Sequence, residues 1–256
     1  MWHKLNTEAI KQYAAHLKFS YAKQNIDEFL LEAAAQDYSV SEAIEHLFEQ
    51  ECKLRRQNGI VRRMNKAHFP YQMTFDTFAS AHLSPQTRRE VRVLETLEFL
   101  EEGSNVVLIG NPGVGKTALS VAIGTKACYS GKNVSFINVP NLVIEMKEAM
   151  SLNALTSYKK SFEKYDLVIL DDLGYCSFSR ECGEVLFNLL SNRLQKAPMI
   201  VTTNLPFARW NEVFDDKVLT GAIVDRIAHK AHVLDMTGES YRVLETKEWL
   251  EKTEDK

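Results

Sequence analysis

Gly110-Asn111-Pro112-Gly113-Val114-Gly115-Lys116-Thr117 matches G-x-x-x-x-G-K-[ST] at every fixed position, and no other stretch of the chain is so clearly suited to chemistry. Its glycines allow the backbone to curl until N–H groups converge on phosphate oxygens. A helix expected to open near Lys116 adds the positive end of its dipole. Lys116 brings a point charge to the β- and γ-phosphates, and the Thr117 hydroxyl is a ligand for Mg²⁺. A chance glycine turn would share the composition but not the setting, which is between an apolar strand and a helix. Gly110, Asn111, Pro112, Gly113, Val114, Gly115, Lys116 and Thr117 are therefore the expected ATP-binding loop.

Three further elements complete a candidate catalytic set of Lys116, Asp171, Asp172, Asn204 and Arg226. Leu167-Val168-Ile169-Leu170 runs into Asp171-Asp172. Two adjacent acids at the end of a buried strand are costly without a cation, so Asp171 is expected to hold Mg²⁺ with Thr117. Strand alternation points the next side chain the other way, which lets Asp172 address an attacking water as general base or orienter. Met199–Thr203 is an apolar strand that leads into Asn204. If that strand lies between the other two, Asn204 reaches the γ-phosphate or the water; otherwise it is a turn residue before Leu205-Pro206. Arg226 lies on a later helical stretch. An arginine lent to a neighbour's γ-phosphate is worth about 10³–10⁵ in rate, and the plainer alternative is a surface salt bridge.

These residues need a scaffold, and the pattern after Gly103 supplies one. Val106–Ile109, Val134–Val139, Leu167–Leu170 and Met199–Thr203 are short apolar runs, and Val233–Leu234 is a candidate fifth. Helical patterns separate them over Ala118–Tyr129, Asn141–Tyr165 and Arg180–Leu194. Strands alternating with helices indicate a parallel sheet covered on both faces. Residues 1–66 read instead as helices alone, with apolar residues near helical spacing and a capping box at Ser39–Glu42. Residues 67–83 read as a linker rich in aromatics, where Tyr71, Phe75 and Phe78 are either core or a stacking set. Ser84-Pro85 reads as the start of a helix running through Leu100. The expected organisation is a helical docking or assembly domain over 1–66, an ATPase domain over 84–245 and an acidic tail over 246–256.

Composition is that of an ordinary globular protein: 256 residues, 45% apolar, 25% charged and a net charge of −3. No apolar run is long enough for a membrane span, and the first residues lack a signal peptide's apolar stretch, so a cytoplasmic protein without a membrane partner is expected. Four scattered cysteines form no C-x-x-C pair and read as reduced structural thiols. A GTPase is disfavoured because no NKxD motif occurs. A small-molecule phosphotransferase is disfavoured because no arginine-bearing lid segment is evident.

With these elements in place the sequence resembles the IstB-type AAA+ ATPases, transposition helpers of insertion sequences, and more distantly the DnaC helicase loaders. The residues that carry the resemblance are Gly110–Thr117, Leu170–Tyr175, Ile200–Phe207 with Trp210 and Phe214, Leu219–Arg226, Ala228–Val233, and Gly238-Glu239-Ser240-Tyr241-Arg242. The resemblance implies a three-layer α/β/α AAA+ core with a five-stranded parallel sheet, in which the Asn204 strand lies between the other two motif strands. It implies Asn204 as a sensor, Arg226 as a finger acting across a subunit boundary, and hence a homo-oligomer with no large helical lid. Asp172 stands where a glutamate is usual, and its shorter side chain suits a slow switch better than a motor.

The partners implied are duplex DNA and a transposase; a helicase loader handing over a replicative helicase is the nearest alternative. Arg55, Arg56, Arg62, Arg63 and Lys66 form the candidate phosphate-contacting patch, with Lys159 and Lys160 as a second. The plainer reading of either is a solvated helix face.

Overall fold

A computed structural model describes residues 7–193, 197–236, 238, 240, 241, 243 and 246. Trp2, Glu239, Arg242 and the tail beyond Thr246 lie outside the described residues. The chain divides into two compact units, Met1–Arg62 and Arg63–Lys256.

The first unit holds α1 (Glu8–His16), α2 (Ser20–Ala35) and most of α3 (Val40–Ala67). Ile26, Phe29 and Ala33 recur at helical spacing on α2 and form its core, with Leu30 and Leu47 packed against them. Phe19 stands at the N-cap of α2 and offers no side-chain oxygen. The carboxylate of Glu51, 4% exposed, fills that role from α3, accepting the N–H groups of Ser20 at 3.0 Å and Tyr21 at 2.7 Å. A carboxylate at a helix N-terminus satisfies orphan donors and complements the dipole. Arg55 donates to that carboxylate at 3.2 Å and to the carbonyl of Lys18 at 2.9 Å. The capping box also forms, with Ser39 and Glu42 exchanging side-chain-to-backbone bonds at 2.8 and 3.3 Å.

The second unit is built on a parallel sheet of order β2-β3-β4-β1-β5. Its strands are β1 (Asn105–Ile109), β2 (Val134–Asn138), β3 (Leu167–Leu173), β4 (Met199–Thr203) and β5 (Ala231–Asp235). Val106 and Leu108 of β1 face one apolar cluster and Val107 the other, and β3 divides its residues in the same way. Both faces are therefore buried, which is why the strands read as unbroken apolar runs. On one side α6 (Lys116–Tyr129) and α4 (Pro85–Glu95) pack; on the other, α7 (Val139–Ser151), α9 (Arg180–Arg193) and α10 (Lys217–Ala228). This is the three-layer α/β/α arrangement, with β4 between β1 and β3. Segment 68–83 has neither helix nor strand, and it contributes Phe78 and Leu83 to the core.

Two elements differ from the sequence reading, and a third gains detail. The helix expected through Leu100 stops at Glu95, and α5 (Glu98–Glu102) follows a left-handed Leu97 with φ 64°. In a continuous helix Leu97 and Phe99 would project roughly 200° apart; the break lets both be buried. The helical patterns over Asn141–Tyr165 form two helices, α7 and α8 (Leu155–Phe162), separated by a turn containing left-handed Asn153. β2 ends at Asn138 because Val139-Pro140 opens α7, where a proline costs no hydrogen bond.

Candidate nucleotide site

Because all five strands are parallel, their C-terminal ends share one edge of the sheet, where ligands bind in open α/β folds. The glycine loop leaves β1 at that edge, Asp171 and Asp172 lie near the end of β3, and Asn204 follows β4. Asn138 ends β2 directly beside Asp171 in register. Chain topology thus gathers residues far apart in sequence.

The loop itself is tightly held. Gly113 and Gly115 have φ of 84° and 93°, values open to glycine and costly for other residues. A Cβ on Gly110 would lie 2.5 Å from the carbonyl oxygen of Met236, and one on Gly113 would lie 2.1 Å from Ser240 Oγ. Tyr241 N–H donates to the Gly113 carbonyl at 2.9 Å, and His82 Nε2 lies 3.1 Å from the Val114 carbonyl. Lys116 is 6% exposed, and its ammonium donates to the carbonyls of Gly110 at 2.8 Å and Asn111 at 2.9 Å. The same loop that presents α6's N-terminal amides therefore also holds the lysine across itself.

Thr117 and Asp171 meet at this edge. The threonine hydroxyl lies 2.9 and 3.1 Å from the two carboxylate oxygens. Asp171 is 3% exposed, and burial is the main reason its carboxyl is pushed above the ordinary range, reinforced by the charge of Asp172. Hydrogen bonds from Thr202 and Thr117, and the charge of Lys116, pull the other way. A hydroxyl and a carboxylate beside a phosphate cradle are the donors expected of Mg²⁺, which takes one or two protein oxygens and completes its shell with phosphates and water. Among the described residues no cluster of three or more His, Cys, Asp or Glu forms an all-protein metal cage.

Asp172 departs from simple alternation. The pairing of β3 with β4 shifts register between Leu170 and Leu173, and Asp172 sits in the left-handed region at φ 66°. Its carboxylate nevertheless reaches the cleft, where Asn138 Nδ2 approaches it at 3.4 Å. The cleft, about 450 Å³, is walled by Pro112, Gly113, Gly115, Lys116 and Thr117 on one side and by Tyr71, Phe78, His82 and Tyr241 on another. Tyr71 and Phe78 thus face it, whereas Phe75 packs against the core. The buried Asn204 Oδ1 has no hydrogen-bond partner, and the α-carbon of Gly174 lies so close that a Cβ there would come within 2.4 Å of it.

Neither Asn204 nor Arg226 lines the cleft. Arg226 is half-buried on α10 with its guanidinium over the Phe187 ring, 4.6 Å from the centroid. Among the basic residues, Arg56, Arg62, Lys66 and Lys160 are exposed, and Lys159 is half-buried in the last turn of α8. Arg55 is tied to Glu51 and Lys18, and Arg63 donates to the Cys128 carbonyl at the end of α6 at 2.8 Å. The sequence assigns no role to Asn138, Thr202 or Gly174. Gly174 and Thr202 lie in the Leu170–Tyr175 and Ile200–Phe207 segments that carry the resemblance, but only strand pairing reveals the partner of Thr202.

A family model for the IstB-like ATP binding protein matches residues 12–248. A putative ATP-binding protein of insertion sequence IS21 from Pseudomonas aeruginosa is 35% identical over 231 residues, covering 90% of this chain and 87% of that protein. Its counterpart in IS5376 from Geobacillus stearothermophilus is 30% identical, covering 97% and 99%. The crystal structure of DnaI superposes with a TM-score of 0.55 at 24% identity, covering 66% of this chain and 89% of DnaI, a likeness of fold.

Proposed function

This chain belongs to the IstB-like ATP-binding protein family of insertion sequences, and we propose that it is an ATP-dependent switch that assembles on duplex DNA and recruits or stimulates a transposase. The observation that carries the proposal is the Thr117–Asp171 pair, joined at 2.9 Å beside the lysine-bearing glycine loop. In this reading the loop amides and Lys116 hold the triphosphate. Thr117 and Asp171 hold Mg²⁺, which supplies charge neutralisation and orientation of the phosphates when bound. Asp172 accepts a proton from the attacking water, and Asn204, whose oxygen has no protein partner, orients that water or the γ-phosphate. The amide of Asn138 competes for the Asp172 carboxylate and keeps basal hydrolysis slow.

Arg226 lies away from its own cleft, as an arginine serving a neighbour's γ-phosphate must. Assembly then completes the site, and hydrolysis dissolves the assembly. The helices of the first unit act as a docking module. Arg56, Arg62, Lys66 and Lys160 are the side chains best placed for phosphates, because they are exposed, whereas Arg55 and Arg63 act first as structural ties. Electron microscopy with duplex DNA, with and without a non-hydrolysable ATP analogue, tests the reading. Analogue-dependent oligomers on DNA that retain the transposase support it; a monomer under every condition refutes it, and selective retention of a replicative helicase favours the loader alternative.

A further inference from the structure

Thr202 of β4 is fully buried, and its one hydroxyl makes two bonds to β3. It donates to Asp171 Oδ1 at 2.7 Å and stands 2.9 Å from the backbone N–H of Asp172, which it accepts. A hydroxyl has one proton and two acceptor sites, so both bonds form at once.

Each bond solves a different problem. Asp171 is a buried carboxylate that must point at Thr117, and a second donor on its Oδ1 fixes its rotation without blocking Oδ2. Asp172 lies where β3–β4 pairing shifts register, between the Leu170↔Val201 and Leu173↔Thr203 pairs. A shift of this kind takes a backbone N–H out of the ladder, and a buried donor needs another partner. Left-handed φ is also disfavoured at a residue with a Cβ, so the conformation gains from support. The Thr202 oxygen provides both.

We infer that Thr202 is a positioning residue: one hydroxyl aims Asp171 toward Thr117 and holds the β3 irregularity that turns Asp172 into the cleft. The inference rests on the reading of this edge as a Mg²⁺-nucleotide site. Three variants test it. Thr202→Val keeps the shape and removes the hydroxyl, Thr202→Ser keeps the hydroxyl and removes the methyl, and Thr202→Cys substitutes a weak donor.

The binding readout is the gain in affinity for a fluorescent ATP analogue when Mg²⁺ replaces EDTA. That gain should fall about 10-fold in Thr202→Val, the scale seen when the outer partner of a metal ligand is removed, with affinity in EDTA unchanged. Thr202→Ser should match wild type and Thr202→Cys should fall between. The structural readout is a nucleotide-free crystal structure of Thr202→Val, or of Thr202→Cys if the valine variant does not fold. Asp172 should leave the left-handed region or Asp171 should separate from Thr117. An undiminished Mg²⁺ gain in both Val and Cys variants overturns the inference, as does a serine variant as impaired as valine. If wild type shows no nucleotide binding, the functional reading fails, while unchanged Asp171 and Asp172 geometry in the crystal still refutes the role of Thr202 by itself.

Discussion

Gly174→Ala is expected to damage turnover while sparing nucleotide binding. Gly174 has φ 125°, and an added Cβ would stand 2.4 Å from Asn204 Oδ1 and 3.3 Å from two carbons of Leu205. Carbon contacts need about 3.5 Å, so Asn204 or the Gly174 backbone must move by about 1 Å. A misplacement of that size costs about 10²-fold when the group orients a reacting atom. The left-handed backbone adds roughly 1–3 kcal/mol of strain whatever the neighbours. Gly131→Ala separates the two effects: Gly131 has φ 97°, but an added Cβ meets nothing within 4 Å. Both variants should lose comparable stability from strain in thermal unfolding. Only Gly174→Ala should lose turnover in a phosphate-release assay, with affinity for the ATP analogue within about twofold of wild type, since Gly174 does not line the cleft. Equal turnover in the two variants would refute the proposed role of Asn204 in orienting the water or the γ-phosphate. An equal loss of affinity and turnover would reduce Gly174 to a folding residue.

Arg226→Ala should bind nucleotide as wild type does yet lose DNA-stimulated turnover, and mixing it with a hydrolysis-dead Asp172→Asn protein should restore part of the rate through intact boundaries; no recovery would argue against a role across subunits. Glu51→Ala should destabilise the first unit by about 2–3 kcal/mol, because it orphans the α2 N–H groups and the guanidinium of Arg55; a chemical-denaturation curve of the full chain superimposable on wild type would contradict that. Burial raises the Asp171 carboxyl above its unfolded value, so its ionised form costs stability, and the cost grows as pH rises through the raised value. Mg²⁺ needs that carboxylate ionised, so the Mg²⁺-dependent gain in nucleotide affinity should shrink as pH falls through the same window. A gain independent of pH down to the ordinary aspartate range would count against Asp171 as ligand.

The glycine loop was legible because its chemistry is local. Gly110 to Thr117 is one uninterrupted stretch, and every group it needs lies within it. Asp171 was legible because an apolar run ending in acids occurs together with a glycine loop upstream, although such a run alone is common. The parallel sheet followed from unbroken apolar strands. Groups that act across strands were not legible. Thr202 looks like any threonine in a β-strand until β4 is set beside β3, and the amide of Asn138 gains meaning only from its register with Asp171. Asp172 was assigned its direction by alternation, which the register shift and its left-handed backbone replace. Charge counting also overlooked local bonding: Arg55 and Arg63 stood in a basic run, yet one anchors a buried glutamate and the other closes the end of α6.

Isothermal titration of wild type and Lys116→Ala with ATP, in Mg²⁺ and in EDTA, decides whether the glycine loop holds the nucleotide. Wild type should give a saturable signal, strengthened by Mg²⁺, and the signal should be lost in the variant, which lacks the ammonium that spans the loop to Gly110 and Asn111. Equal ATP affinity in the two proteins, or no heat from folded wild type, would contradict that assignment.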